Sequence, residues 1–138
     1  MGAERSAWQK YDRIQPEITQ CLNDADALKQ ARLYHGKVQG REIISHHGYS
    51  MSNLYGARPP GRYSVVEPLP FDQAGGYASA FINPTNPKMT VCHFLIARDK
   101  AGKYVSMGDS PTNPERDAWR VAPEHYKGVI KRVFTFPR

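Results

Sequence analysis

Apolar and polar positions alternate most clearly near the end of the chain. From Val129 to Phe136, Val129, Lys131, Val133 and Thr135 fall on one face of an extended strand, and Ile130, Arg132, Phe134 and Phe136 on the other. Met89 to Arg98 is nearly continuous in Val91, Cys92, Phe94, Leu95 and Ile96, as in a strand buried on both faces. Shorter strands are predicted at Arg62 to Val66, Lys103 to Ser106 and Ala118 to Val121. Pro16 suits the first turn of a helix reaching Gln30, with Ile18, Cys21, Leu22, Ala25 and Leu28 spaced along one side. Ala31 to Gly36 reads as a short strand stopped by its glycine. Gly40 to His47 reads as a short helix that buries Ile43 and Ile44, and Phe71 to Phe81 as a helix that tolerates two glycines. Turn chemistry separates these pieces at Pro59-Pro60-Gly61, at Asn83 to Lys88 and at Asp99 to Gly102. Helices followed by strands predict an α+β domain.

The chain has 138 residues, enough for one domain with a modest core. The reading is a flexible N-terminus over residues 1–12 and a single domain over 13–138. Hydrophobic residues make up 40%, and 11 glycines with 11 prolines point to a loop-rich fold rather than disorder. No apolar run is long enough to span a bilayer and no signal-peptide pattern is visible, so no membrane partner is expected. Cys21 and Cys92 each sit among apolar residues, as buried free thiols do. Net charge is +6, which draws anionic cofactors, polyanions or acidic protein surfaces. The basic residues are scattered, so the charge alone is not a nucleic-acid signature.

Candidate chemistry gathers in the first half. Leu33-Tyr34-His35-Gly36 is followed by Gly61-Arg62-Tyr63-Ser64, then by Phe71-Asp72-Gln73-Ala74-Gly75-Gly76-Tyr77. Read structurally, His35 is a strand histidine satisfied by nearby backbone, Tyr63 and Tyr77 fill a core, and Asp117 is a turn residue. Trp119 and Phe94 read as core. His46, His47, His93 and His125 have no cysteine or carboxylate at ligand spacing, which argues against a zinc site.

Taken in order, the three blocks resemble the NAD-binding core of diphtheria-toxin-like and poly(ADP-ribose) polymerase-like ADP-ribosyltransferases, over roughly residues 31 to 136. The resemblance implies an ADP-ribosyltransferase-like split β-sheet with short flanking helices, and NAD as substrate. His35 would position the dinucleotide by its ribose, Gly36 backbone would hold the carboxamide, and Tyr63 and Tyr77 would stack on the nicotinamide. Ser64 and Arg58 would complete the binding set, with Arg58 facing the pyrophosphate. Asp117 stands where the family carries its catalytic glutamate, and Glu115 is the second choice. Lys37 departs from the small hydroxyl residue that commonly follows His-Gly.

The implied activity is mono-ADP-ribosyl transfer to a protein or nucleic-acid acceptor, by a bacterial toxin or effector with a possible cognate immunity protein. Such an effector would be delivered into a target-cell cytoplasm, and otherwise the chain would be cytoplasmic. A carboxylate about 4 Å from the developing cation, at an effective dielectric near 20, would contribute roughly 4 kcal/mol. Three other readings stand beside it: an NAD glycohydrolase, a silent NAD-binding module, and a small basic ribonuclease using His35 or His46 with Glu115.

Overall fold

The computed structural model describes residues 8–46, 61–108 and 116–137. Eight strands make one sheet: β1 (Trp8–Lys10), β2 (Glu17–Gln20), β3 (Glu42–His46), β4 (Gly61–Glu67), β5 (Ala78–Asn83), β6 (Asn86–Asp99), β7 (Tyr104–Met107) and β8 (Tyr126–Phe136). A single α-helix among the described residues, α1 (Asp24–His35), packs on it, and Phe71–Gln73 forms one 3₁₀ turn. Among the described residues, strand accounts for 51% and helix for 14%. The α+β expectation with several helices, and with it the ADP-ribosyltransferase-like split sheet, is therefore corrected to a sheet-dominated, mostly antiparallel fold.

Strand β8 sets the layout. Along one edge it pairs antiparallel with β4 from Gly61↔Phe136 to Glu67↔Val129. Along the other it pairs with β5 over Tyr126 to Ile130, and then in parallel with β2 over Arg132 to Thr135. The chain before α1 thus continues the lane that β5 begins. The seam is marked by Ile14 N–H donating to the Gly76 carbonyl at 2.8 Å. Beyond β5 the sheet continues to β6 and β7, and β3 lies beyond β4. Residues 8–10, within the stretch expected to fray, pair with Ala97 to Asp99 of β6.

The helix begins later than the proline suggests. Glu17 to Gln20 satisfy their backbone against β8 instead, and the initiating signal is Asn23. Its side chain accepts the Asp26 N–H at 2.9 Å, and the Asp26 carboxylate accepts the Leu22 N–H at 2.9 Å, a reciprocal cap. That Leu22 bond holds the Asp26 carboxyl below its usual range. Asp24 and Asp26 in the first turn, with Arg32 and His35 in the last, complement the helix dipole. Gly36 ends the helix in the left-handed conformation (φ 57°), its N–H bonded to the Arg32 carbonyl. The buried stripe is Ala27 and Ala31, with Tyr34 half-buried beside them, and the small alanines let the helix lie close over Val65, Phe134 and Phe136. Leu22 and Leu33 face outward, 84% and 71% exposed.

Three further expectations change for local reasons. The helix expected over Gly40 to His47 is replaced by a strand, because Glu42 to His46 pair with Arg62 to Val66 as β3; His47 lies outside the described residues. Phe71 to Phe81 divides into the 3₁₀ turn and β5, the helix pattern losing to a ladder between β6 and β8. Ala118 to Val121 is not a full strand. Val121 alone bridges Tyr104, and Asp117 N–H donates to the Ser106 carbonyl at 2.9 Å.

The alternation predicted for β8 is also broken, at Lys131. Val65 lies opposite Arg132 and Val66 opposite Ile130, so Lys131 is an extra residue, a β-bulge. Ile130 consequently joins Val133, Val66, Ala78, Ala80 and Phe94 in one cluster. Val129 joins Phe81, Val91, Leu95, Tyr104 and Val121 in another. Cys21 and Cys92 are free and belong to separate clusters, and burial pushes the Cys92 thiol up to about 12.

Two outcomes follow. A methyl group at Gly128 would meet the Glu67 carbonyl oxygen at 2.5 Å and Val66 Cγ1 at 2.7 Å, so Gly128→Ala must prise β8 from β4. Its unfolding free energy should fall by about 2–3 kcal/mol in urea titration. The Tyr126 hydroxyl donates to the Leu69 carbonyl, and burial pushes it from near 10 up to about 12, helped by Tyr104. Because the folded value is the higher one, this contribution is complete below about pH 10 and is lost as pH rises towards 12. Tyr126→Phe should flatten the alkaline fall of the urea midpoint over that window, leaving the slope owed to the other raised phenols, Tyr34, Tyr63 and Tyr104.

Candidate functional site

The residues singled out by the resemblance lie in separate places. His35 ends α1 rather than a strand, and both ring nitrogens are engaged. Nδ1 accepts the Lys37 N–H at 3.1 Å, so Nε2 carries the proton it donates to the Arg41 carbonyl at 2.7 Å. Gly36 is spent on the helix cap. Tyr63 is on β4, stacked on Phe136 with centroids 5.6 Å apart, and its hydroxyl donates to Asp24 Oδ1 at the opposite end of α1. That bond is the leading cause that raises the Tyr63 phenol, followed by burial. A 12-residue helix therefore separates the anchors of His35 and Tyr63, roughly 16 Å along its axis.

Ser64 is fully buried beneath the sheet ladder between Ile44 and Val133. Tyr77 packs near the Phe81–Tyr104 cluster, with the Lys131 ammonium 5.8 Å from its ring centre. Arg58 and Glu115 lie outside the described residues. Asp117 belongs to a different group again, beside β6 and β7, three to four strand positions from Tyr63. His35, Tyr63 and Asp117 are not brought together.

What the fold does assemble is a polar group around Asp117. Its Oδ2 lies 2.6 Å from His93 Nδ1 and 2.6 Å from Ser106 Oγ. Trp119 Nε1–H donates to the same Ser106 Oγ at 3.0 Å. The Trp119 ring lies nearly parallel to the imidazole (19°, centroids 6.5 Å), and Phe81 meets it edge-on at 6.4 Å. Side chains of His93 and Asp117 are only 9% and 7% exposed, and Ser106 is fully buried.

Each member is placed by a ladder. His93 is in β6 opposite Ser79, on the face away from Cys92 and Phe94. Ser106 is in β7 opposite Leu95. Asp117 is drawn in by its own N–H on the Ser106 carbonyl, and the Tyr104–Val121 bridge fixes the next turn of chain.

A carboxylate that orients an imidazole through Nδ1 leaves Nε2 as the available nitrogen. Among the described residues, Nε2 of His93 has no hydrogen-bond partner. The group therefore has the parts of an acid–base centre: an oriented imidazole, an orienting carboxylate, a hydroxyl that holds the carboxylate, and an indole that holds the hydroxyl. No set of three or more metal-ligating side chains occurs among the described residues. No described helix is long and apolar enough to cross a membrane.

No protein-family model matches the sequence, and no curated protein or solved structure matches the chain. The chemistry is therefore read from the residues themselves. Sequence reasoning grouped Asp117 with His35 and Tyr63, and it weighed His93 only as a zinc ligand, setting it aside because no cysteine or carboxylate stands at ligand spacing. The available signal was strand alternation, which turns His93 away from the apolar side chains flanking it.

The buried network also carries stability. Asp117→Ala leaves the His93 N–H and the Ser106 hydroxyl without their acceptor, and should cost about 3 kcal/mol in urea unfolding. Tyr63→Phe, which deletes one hydrogen bond at the helix start, should cost about 1 kcal/mol by the same measurement.

Proposed function

We propose that the protein is a small acid–base enzyme acting on a phosphodiester-bearing polyanion, with His93 as its general base and Asp117 as the carboxylate that orients it. The observation that carries this reading is the 2.6 Å contact between His93 Nδ1 and Asp117 Oδ2, which leaves Nε2 for a substrate proton. The net charge of +6 supplies the attraction for an anionic chain. RNA is the first substrate to test, because its 2′-hydroxyl is an internal nucleophile that needs only a base.

In that reaction Nε2 takes the 2′-hydroxyl proton as O2′ attacks phosphorus. The bond to the 5′-oxygen breaks, and the proton held on the imidazole returns to that departing oxygen. The products are a 2′,3′-cyclic phosphate and a free 5′-hydroxyl, so atoms and charge balance. A positioned imidazole contributes about 10²- to 10⁴-fold in rate. The ribonuclease reading of the sequence is kept in this form, with His93 replacing His35, whose two nitrogens are occupied.

NAD cleavage at His35, Tyr63 and Asp117 has no geometric support, since each is held by different partners. One experiment separates the two chemistries. Wild type and His93→Ala are incubated in parallel with RNA and with NAD, and cyclic-phosphate ends and free nicotinamide are measured. The expected result is RNA cleavage by wild type, reduced at least 100-fold in His93→Ala. RNA left intact by wild type, or cut equally by both proteins, overturns the proposal. Nicotinamide release independent of His93 would do so in favour of the NAD chemistry.

A further inference from the structure

We infer that Ser106, backed by Trp119, is a positioning residue that decides which ring nitrogen of His93 serves as the base. This rests on the reading of His93 as an acid–base group and adds the device that sets its tautomer. The argument follows the directions of the hydrogen bonds. An indole N–H can only donate, so Ser106 Oγ must accept from Trp119 Nε1. The single Ser106 proton is then free to point elsewhere, and the acceptor 2.6 Å away is Asp117 Oδ2. That same oxygen lies 2.6 Å from His93 Nδ1. A carboxylate oxygen receiving two bonds acts as acceptor in both, which puts a proton on Nδ1 and, in the neutral ring, leaves the lone pair on Nε2.

Position supports the assignment. The Asp117 carboxylate is tied to β6 by His93 and to β7 by Ser106, and its side chain makes no other hydrogen bond among the described residues. Without the hydroxyl, the carboxylate is free to turn about its terminal torsion and slip from Nδ1, and the ring loses what selects one tautomer. Trp119 also lies parallel to the imidazole, so it limits ring flipping as well as orienting the hydroxyl.

The test is nitrogen-15 NMR of the histidine side chains in the full chain, with His93 assigned by its loss in His93→Gln. Wild type should show one tautomer: a slowly exchanging, downfield Nδ1–H and an Nε2 of pyridine type. Ser106→Ala should show a mixture with substantial Nε2–H, and should lower kcat about tenfold with KM little changed. Trp119→Phe keeps a parallel ring but lacks the donor. It should weaken the Nδ1–H signal in the same direction and serves as the second variant should Ser106→Ala fail to fold. An Nε2–H tautomer in wild type, or unchanged spectra in the folded variants, overturns the inference. The two failures are distinguishable: absent RNA cleavage with the expected tautomer sinks the enzymatic reading alone. Cleavage that needs His93 but is indifferent to Ser106 and Trp119 sinks only the positioning role.

Discussion

The ladder of β8 is the constraint on which the rest of this protein depends. One strand of 11 residues supplies backbone partners to β4 on one edge and to β5 and β2 on the other. Every buried N–H and C=O needs a partner, so a strand flanked on both edges commits the chain on either side of it. The parallel join to β2 fixes where α1 starts, and the antiparallel join to β4 supplies Val65 for the helix to cover. The bulge at Lys131 bends the strand and moves Ile130 and Val129 into different clusters.

The polar group at His93 is built elsewhere on the same sheet, where β6 carries β5 on one edge and β7 on the other. Its members come from two strands and the chain that returns beside β7. Buried polar atoms are costly unless paired, and here each donor finds an acceptor within 3.0 Å. Rigid ladders hold the imidazole and the hydroxyl, while the carboxylate sits on the segment that closes on them. That division suits an acid–base centre, since the ring is held in place by strands rather than by a loop.

Much of the strand content was legible because buried strands are written locally. The apolar run around Val91 to Ile96 and the short block at Arg62 to Val66 fall within observed strands, and the block at Lys103 to Ser106 does so from Tyr104 onward. Helices were less legible. Ile43 and Ile44 are as compatible with a short helix as with a strand, and only pairing with Val65 and Ser64 decides between them. The start of α1 is set by Asn23 with Asp26, and not by Pro16 with the apolar spacing from Ile18 to Leu28. In the fold that spacing belongs partly to β2 and partly to exposed positions at the helix start, Leu22 just before it and Ala25 within it.

What the sequence determined by itself is a basic chain of 138 residues with strands where β-branched and aromatic residues run together, and with turns where glycine, proline and asparagine gather. Those are consequences of local sterics and hydrophobic period, which need no distant partner. Only the tertiary structure decided which strands are neighbours, that Lys131 is an extra residue in its ladder, and that Asp117 meets His93 from 24 residues away and Ser106 from 11. The same three-dimensional decision separated His35 from Tyr63, because the helix between them became one rigid rod with an anchor at each end. Spacing along the chain carries no record of which side chains the sheet folds together.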